Sequence, residues 1–347
     1  MAAVARAIDP VSTFNHAEQL LEKQRDNEAF GLYFELRDSS RMAPLSYYRM
    51  GEILNRTGQI EESIDCHRKA FELDPHLARG LTTNDHPCHD YRYHFVEQTH
   101  TTQCPMCGEQ GRKHSCYNAI TKPDFTPGFD PIRVWMHCDA CHHIFAANYP
   151  TDLIGALRQH NHGSHLSPRH EVFPALGRVL SNIRTLAPGN RLLEIGAGAG
   201  EMAAVAAEFL FDVVGIDIRP AYANAVAERL KIPVHACDFL DYQADDTFDV
   251  ICMGDVLEHT TEPVRMLLKS ISLLNPGGVL WISTPNFESA FSRVQHDASP
   301  LWRACEHLNY FCYRSLQAML QTMGVAVVDY AISRHCLGTM EITCIRE

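Results

Sequence analysis

Three groups of residues have the types and spacing to do chemistry. Cys104 and Cys107 form one Cys-x-x-Cys pair, and Cys138 and Cys141 repeat it after thirty intervening residues. Each pair offers two thiolates on one knuckle, and two knuckles complete a tetrahedron around Zn²⁺. Four thiolates leave no open position, so such a zinc is structural rather than catalytic. His137, His142 and His143 flank the second pair as alternative ligands. The histidines of "RQHNHGSHLSPRH" (His160, His162, His165, His170) match no standard metal spacing and read as a solvated loop.

The second group is a glycine turn. In "LLEIGAGAGEMAAVAAE" (192–208) an apolar run carries Glu194, then Gly196, Gly198 and Gly200 alternate with alanine, and an alanine-rich helix follows. A dinucleotide turn reads GxGxxG, whose third glycine would fall at Glu201. A carboxylate at 194 suits a cationic ligand better than a pyrophosphate. S-adenosylmethionine, with a sulfonium, an ammonium and no phosphate, has that chemistry.

The third group follows two later apolar runs. Asp255, Glu258 and His259 come after "FDVICMGD", and Pro285, Asn286 and Phe287 after "GVLWIST". The insertion "SRVQHDASPLWRACEHLNYFCYRS" adds His296, Trp302, Glu306, His307, Tyr310 and Phe311, and its length suits a substrate-covering loop. An imidazole with an ordinary pKa near 6.5 can remove a proton at neutral pH, which makes His307 and His259 candidate general bases. Tyr310 is a candidate for orienting the acceptor. Asp255, Glu258 and His259 also make a candidate divalent-metal set.

The elements that must position these groups divide the 347 residues into three segments. Residues 1–82 have helical periodicity. Residues 83–150 are polar, His-rich and too poor in apolar side chains for a core of their own, which metal binding could offset. Residues 151–347 alternate strand and helix patterns, the signature of a mostly parallel doubly wound α/β sheet, and end in a hairpin that would add one antiparallel strand. Net charge is −12, which disfavours nucleic-acid binding. No apolar run reaches the roughly 18 residues of a membrane span, and the N-terminus lacks the apolar core of a secretory leader, so the cytoplasm is the expected location. Thirteen cysteines, an odd number in a chain this long, read mostly as small buried hydrophobes.

In the first segment Tyr47, Met50, Gly51, Leu54, Ser63, His67, Ala70 and Pro75 fall where a tetratricopeptide repeat places its signature residues, and the segment resembles one such repeat. One repeat needs a neighbour, so it reads as a helical cap or a homodimer contact, or else as a docking surface. In the last segment "EIGAGAG" resembles motif I of class I S-adenosylmethionine-dependent methyltransferases. "VVGID", "ACDFLD", "FDVICMGDVLEH" and "LNPGGVLWIST" follow in that family's order over about 160 residues. The resemblance implies a seven-stranded Rossmann-like domain. It implies that Glu194, Gly196, Ala197, Gly198 and Gly200 hold the methionine end. Asp217 and Ile218 would meet the ribose, Asp238 and Phe239 the adenine, and Gly254, Asp255 and Val256 would lie under the methionine moiety. A four-cysteine module ahead of that domain, with "DVLEH" and "EHLNYF", is similar to bacterial methyltransferases of sugars and small metabolites. The chain differs from the nucleotide-sugar C-methyltransferases in ending at the last strand and in carrying the helical segment.

The expectation is therefore methyl transfer to oxygen or carbon of a small metabolite with a histidine base. The alternative is a peptide, protein or carrier-bound acceptor docked by the helical and zinc modules. The residues do not reveal the acceptor atom.

Overall fold

The computed structural model describes residues 9–159, 167–334 and 336–347. His160, His162 and His165 lie outside them. The chain opens with helices α1 (Pro10–Glu22), α2 (Asp26–Glu35), α3 (Ala43–Arg56), α4 (Ile60–Leu73) and the single turn α5 (Ala78–Leu81). Asp9 caps α1 through its carboxylate, which accepts from the backbone N–H groups of Val11 and Ser12, with Pro10 at the first helical position. Helices α3 and α4 touch where Gly51 faces the His67 ring. A Cβ at 51 would stand 2.8 Å from that ring, so only glycine allows the approach.

Short strands follow: β1 (Gln98–His100), β2 (Arg112–Asn118), β3 (Ile132–His137), β4 (Ile144–Ala146) and β5 (Asn148–Pro150), then helix α6 (Leu153–Gln159). The 3₁₀ turn His170–Val172 leads into α7 (Phe173–Leu186), and from there strands and helices alternate. They are β6 (Arg191–Ile195), α8 (Glu201–Glu208), β7 (Asp212–Asp217), α9 (Pro220–Leu230), β8 (Val234–Ala236), β9 (Phe248–Gly254), α10 (Pro263–Leu273) and β10 (Leu274–Pro285). Helix α11 (Ala290–Gln295), β11 (Asn309–Tyr310), α12 (Tyr313–Thr322), β12 (Val325–Ile332) and β13 (Thr339–Arg346) complete the chain.

Seven strands form one sheet in the order β12-β13-β10-β9-β6-β7-β8, with β13 antiparallel to both neighbours. The doubly wound α/β expectation holds, including the terminal hairpin. Side-chain alternation sorts each strand onto two faces. Leu192, Val250, Cys252, Val279 and Trp281 pack under α7 and α8. Leu193, Ile195, Ile251, Met253, Leu280 and Ile282 pack under α10 and α12.

A second sheet, β11-β4-β3-β2, joins the cysteine-bearing segment to the insertion after β10. Its core is shared. Trp135, Val134 and Cys116 pack with Tyr48, Phe71 and Ile64 of α3 and α4, and with Cys305, Leu308 and Tyr310 of the insertion. The Asn55 side chain in α3 accepts from the Cys116 N–H at 2.8 Å. A segment too polar for its own core thus borrows apolar surface from both sides.

Candidate active site

The four cysteines converge. Cys104 Sγ lies 3.6 Å from Cys141 Sγ and Cys107 Sγ lies 3.5 Å from Cys138 Sγ, and all four sulfurs fall within 4.8 Å of one another. Zn–S bonds of about 2.3 Å in a tetrahedron put sulfurs roughly 3.8 Å apart, so the thiolates fit that ion. The two knuckles share one backbone turn. The N–H four residues beyond the first cysteine returns to its carbonyl, from Gly108 to Cys104 and from His142 to Cys138, at 2.8 Å in both. Those fourth residues both have left-handed backbones, φ 79° at Gly108 and 56° at His142. Two of the neighbouring histidines read as alternative ligands have other partners. His137 Nδ1 meets Asp139 at 2.8 Å, and buried His143 meets the Asn309 side chain at 2.9 Å.

A cavity of about 1150 Å³ opens at the carboxyl ends of β6, β7, β8 and β9, where ligands sit in open α/β sheets. The glycine turn after β6 forms one wall. Gly196, Gly198 and Gly200 have φ of 81°, 52° and 88°, values costly for any residue with a Cβ. A Cβ at 196 would stand 2.4 Å from Val256 Cγ2. Glu194, Gly196, Ala197 and Gly198 line the cavity, whereas Gly200 serves as the left-handed N-cap of α8. Glu194 is buried, and its Oε2 has no hydrogen-bond partner among the described residues. Burial, reinforced by Glu201 and Asp217, holds its carboxyl well above the ordinary range.

Asp217 and Ile218 line the cavity at the end of β7, Asp238 and Phe239 beyond β8, and Gly254, Asp255 and Val256 beyond β9. The Asp217 carboxylate is already engaged. It accepts from Gly198 N–H at 2.9 Å, from Arg219 N–H at 2.9 Å, and from the Arg219 guanidinium at 3.0 and 3.2 Å. A diol arriving there must displace the Arg219 side chain. Asp255 has φ 52°, an uncommon value for a non-glycine residue, held by its N–H to the Ser283 carbonyl and by Ser283 Oγ donating to its carboxylate at 3.1 Å.

Glu258, His259 and His307 meet at the far end of the cavity. The two imidazoles lie edge to face with centroids 4.8 Å apart. His259 Nδ1 is 2.9 Å from the Glu306 carbonyl, and His307 Nδ1 is 3.1 Å from the Tyr310 hydroxyl. Burial pushes His307 down to about 3, with His259 adding to the fall, and burial lowers His259 as well. Both rings are therefore neutral at physiological pH, and weaker bases than an ordinary imidazole. Burial raises Glu306, but His307 and Lys122 outweigh it and bring that carboxyl down to about 2.

The insertion behaves differently from a loose cover. Its strand β11 pairs with β4, the Leu308 N–H donates to the Glu258 carbonyl at 2.7 Å, and buried Arg133 donates to the His307 carbonyl at 2.8 Å. His143, Asn309 and the Thr260 carbonyl form a hydrogen-bonded line from the second knuckle to the loop after β9. Tyr310, expected to face the acceptor, stands behind the wall with its hydroxyl donating to the Leu301 carbonyl. Trp302 lies parallel to Tyr117 at 5.9 Å, and Phe311 is buried against His143. Pro285 and Glu306 reach the cavity, but Asn286, Phe287 and His296 do not. The sequence reading missed a further stretch of wall, which includes Lys122, Asp124 and Tyr149 of the cysteine-bearing segment, then Asp152 and, in α6, Leu157. No local pattern marks them, because only tertiary packing brings them there.

The fold and cavity define an open α/β protein with a ligand site at the carboxyl ends of its central strands. Residues 169–330, just under half of the chain, match the family model described as Methyltransferase domain. Among curated proteins, "Ubiquinone biosynthesis O-methyltransferase" of Xanthomonas campestris pv. campestris is 28% identical over 159 residues, covering 42% of this chain and 66% of that protein. The protein of the same name from Coxiella burnetii is 27% identical, covering 36% of this chain and 56% of its own length. The chain thus spans between about half and two thirds of the relatives it matches. Among solved structures, the 1,6-didemethyltoxoflavin-N1-methyltransferase of Burkholderia thailandensis is 16% identical with a TM-score of 0.46, covering 62% of this chain and 95% of that one. No helix among the described residues is long and apolar enough to cross a membrane.

Proposed function

We propose that this protein is an S-adenosylmethionine-dependent methyltransferase acting on oxygen or carbon of a small molecule. The observation that carries the reading is the buried Glu194 carboxyl beside the glycine turn, whose Oε2 has no hydrogen-bond partner among the described residues, with Asp217 and Asp238 on the next two strand ends. Carboxyls placed this way suit a sulfonium and an ammonium, which favour their ionised form, and offer no donor to a pyrophosphate. Glu194 would meet the amino-acid end, Asp217 the ribose once Arg219 has swung away, and Asp238 with Phe239 the adenine.

Transfer is an in-line displacement. The acceptor atom bonds to the methyl carbon, the S–CH₃ bond breaks, and sulfur keeps the electron pair as a neutral thioether. The protein must hold the acceptor in line and exclude water. The insertion and the cysteine-bearing segment wall the cavity for that purpose. His307, with His259 beside it, would take the acceptor's proton, and the Glu306 carboxylate would stabilise the resulting imidazolium. Relatives named O-methyltransferases favour oxygen as the acceptor. The walled cavity favours a small molecule over a docked peptide. Zn²⁺ held by Cys104, Cys107, Cys138 and Cys141 would brace β3, β4 and β11, and so the position of His307.

The test is methyl transfer from S-adenosylmethionine labelled in its methyl group to a panel of phenols, hydroxy acids and nucleotide sugars. We expect labelled product with at least one small hydroxylated acceptor and little with His307→Ala. Cofactor binding with label incorporated only into added protein or peptide would shift the reading to the macromolecular alternative.

A further inference from the structure

We propose that Glu258, His259 and His307 bind a divalent cation at the acceptor end of the cavity. The inference rests on reading that cavity as the acceptor site, and it gives the two histidines a joint task in place of a single proton transfer.

The hydrogen bonds around each ring fix where its lone pair points. The Glu306 carbonyl can only accept, so His259 Nδ1 carries the proton and Nε2 is bare. The Tyr310 hydroxyl spends its own hydrogen on the Leu301 carbonyl. Its oxygen must then accept from His307 Nδ1–H, which leaves Nε2 of that ring bare as well. Metal-binding histidines are commonly held this way, with the other ring nitrogen donating to a carbonyl or polar oxygen. Among the described residues neither Nε2 has a hydrogen-bond partner, and both side chains line the cavity.

The third group is Glu258, only 1% exposed. Thr284 Oγ1 donates to its Oε2 at 3.0 Å, whereas its Oε1 is buried with no hydrogen-bond partner among the described residues. A buried carboxylate oxygen left this way is costly and calls for a cation or a proton. One ligand atom from each of the three residues lies within 4.8 Å of the others. Ligands about 2.1 Å from one ion stand roughly 3–4 Å apart, so small side-chain adjustments close the site. Two imidazoles and a carboxylate on one side of an ion leave its remaining positions open to the cavity, where an acceptor oxygen could coordinate. This nitrogen and oxygen set suits Mn²⁺, Fe²⁺ or Co²⁺. It differs from the all-sulfur site at the knuckles, where thiolates select Zn²⁺.

The zinc-loaded chain, freed of other metal, should be titrated with Mn²⁺ alone while the free-ion electron paramagnetic resonance signal is followed. We expect one Mn²⁺ per chain, and at least tenfold weaker uptake by Glu258→Gln and by His307→Ala. Electron spin echo modulation of the wild-type complex should show coupling to two imidazole nitrogens, a readout that needs no variant to fold. Absence of uptake, uptake unchanged in both variants, or fewer than two coupled nitrogens would overturn the assignment. The titration contains neither cofactor nor acceptor, so its outcome is independent of whether methyl transfer is found.

Discussion

Alanine at position 196 tests whether the turn after β6 is built as described. The backbone there has φ 81°, and an added Cβ would sit 2.4 Å from Val256 Cγ2 and 3.8 Å from Val256 Cβ. The left-handed conformation costs a residue with a Cβ about 1–2 kcal/mol. Forcing a methyl into the occupied space costs about 1–3 kcal/mol more. Gly196→Ala should therefore destabilise the fold by about 2–5 kcal/mol, and its turn should no longer receive the cofactor. Val256→Ala removes the clashing methyl and leaves the nearest atom at ordinary contact distance. The double variant should recover the steric part but not the conformational part. Denaturant unfolding of the wild type, both single variants and the pair gives the coupling energy directly, expected at about 1–3 kcal/mol in the favourable direction. Additive losses, or a Gly196→Ala protein as stable as the wild type, would refute the steric argument.

The other expectations follow from single residues. Glu194 holds its proton further up the pH scale in the folded chain than its ordinary value of 4.5. The native state then binds more protons than the unfolded one, so the Glu194 contribution to stability falls as pH rises above that value. Glu194→Gln should accordingly gain stability relative to the wild type between pH 4 and pH 7 in melts without cofactor, while binding S-adenosylmethionine more weakly. His307→Ala should lower turnover about 10²-fold or more with cofactor affinity nearly unchanged, which initial rates and calorimetry separate. His142→Gly relieves a left-handed residue in the second knuckle and should raise stability by about 1 kcal/mol with zinc content preserved, measured by denaturation and metal analysis.

What could be read from the residues was what is local. The glycine turn, Asp217, Asp238 and the run into β9 each belong to one strand and its following turn, so their order along the chain places them around one cavity. The Cys-x-x-Cys spacing likewise carries its own geometry. How the insertion is anchored was not legible, because pairing of β11 with β4 is a long-range event. It draws Trp302 and Tyr310 into the shared core, sets Phe311 in the core of the large sheet, and leaves Glu306 and His307 at the wall. The same packing hid Lys122, Tyr149 and Asp152, whose neighbours in sequence say nothing of a cavity. The basicity expected of the histidines followed from their ordinary pKa, which burial removes. The hold of Arg219 on Asp217 depends on a side-chain conformation that no spacing encodes.

Calorimetric titration of the zinc-loaded protein with S-adenosylmethionine tests the central claim most directly. The account predicts saturable one-to-one uptake, lost in Glu194→Ala, and no comparable response to NAD⁺. Tight binding of the nicotinamide dinucleotide by a protein indifferent to S-adenosylmethionine would contradict it.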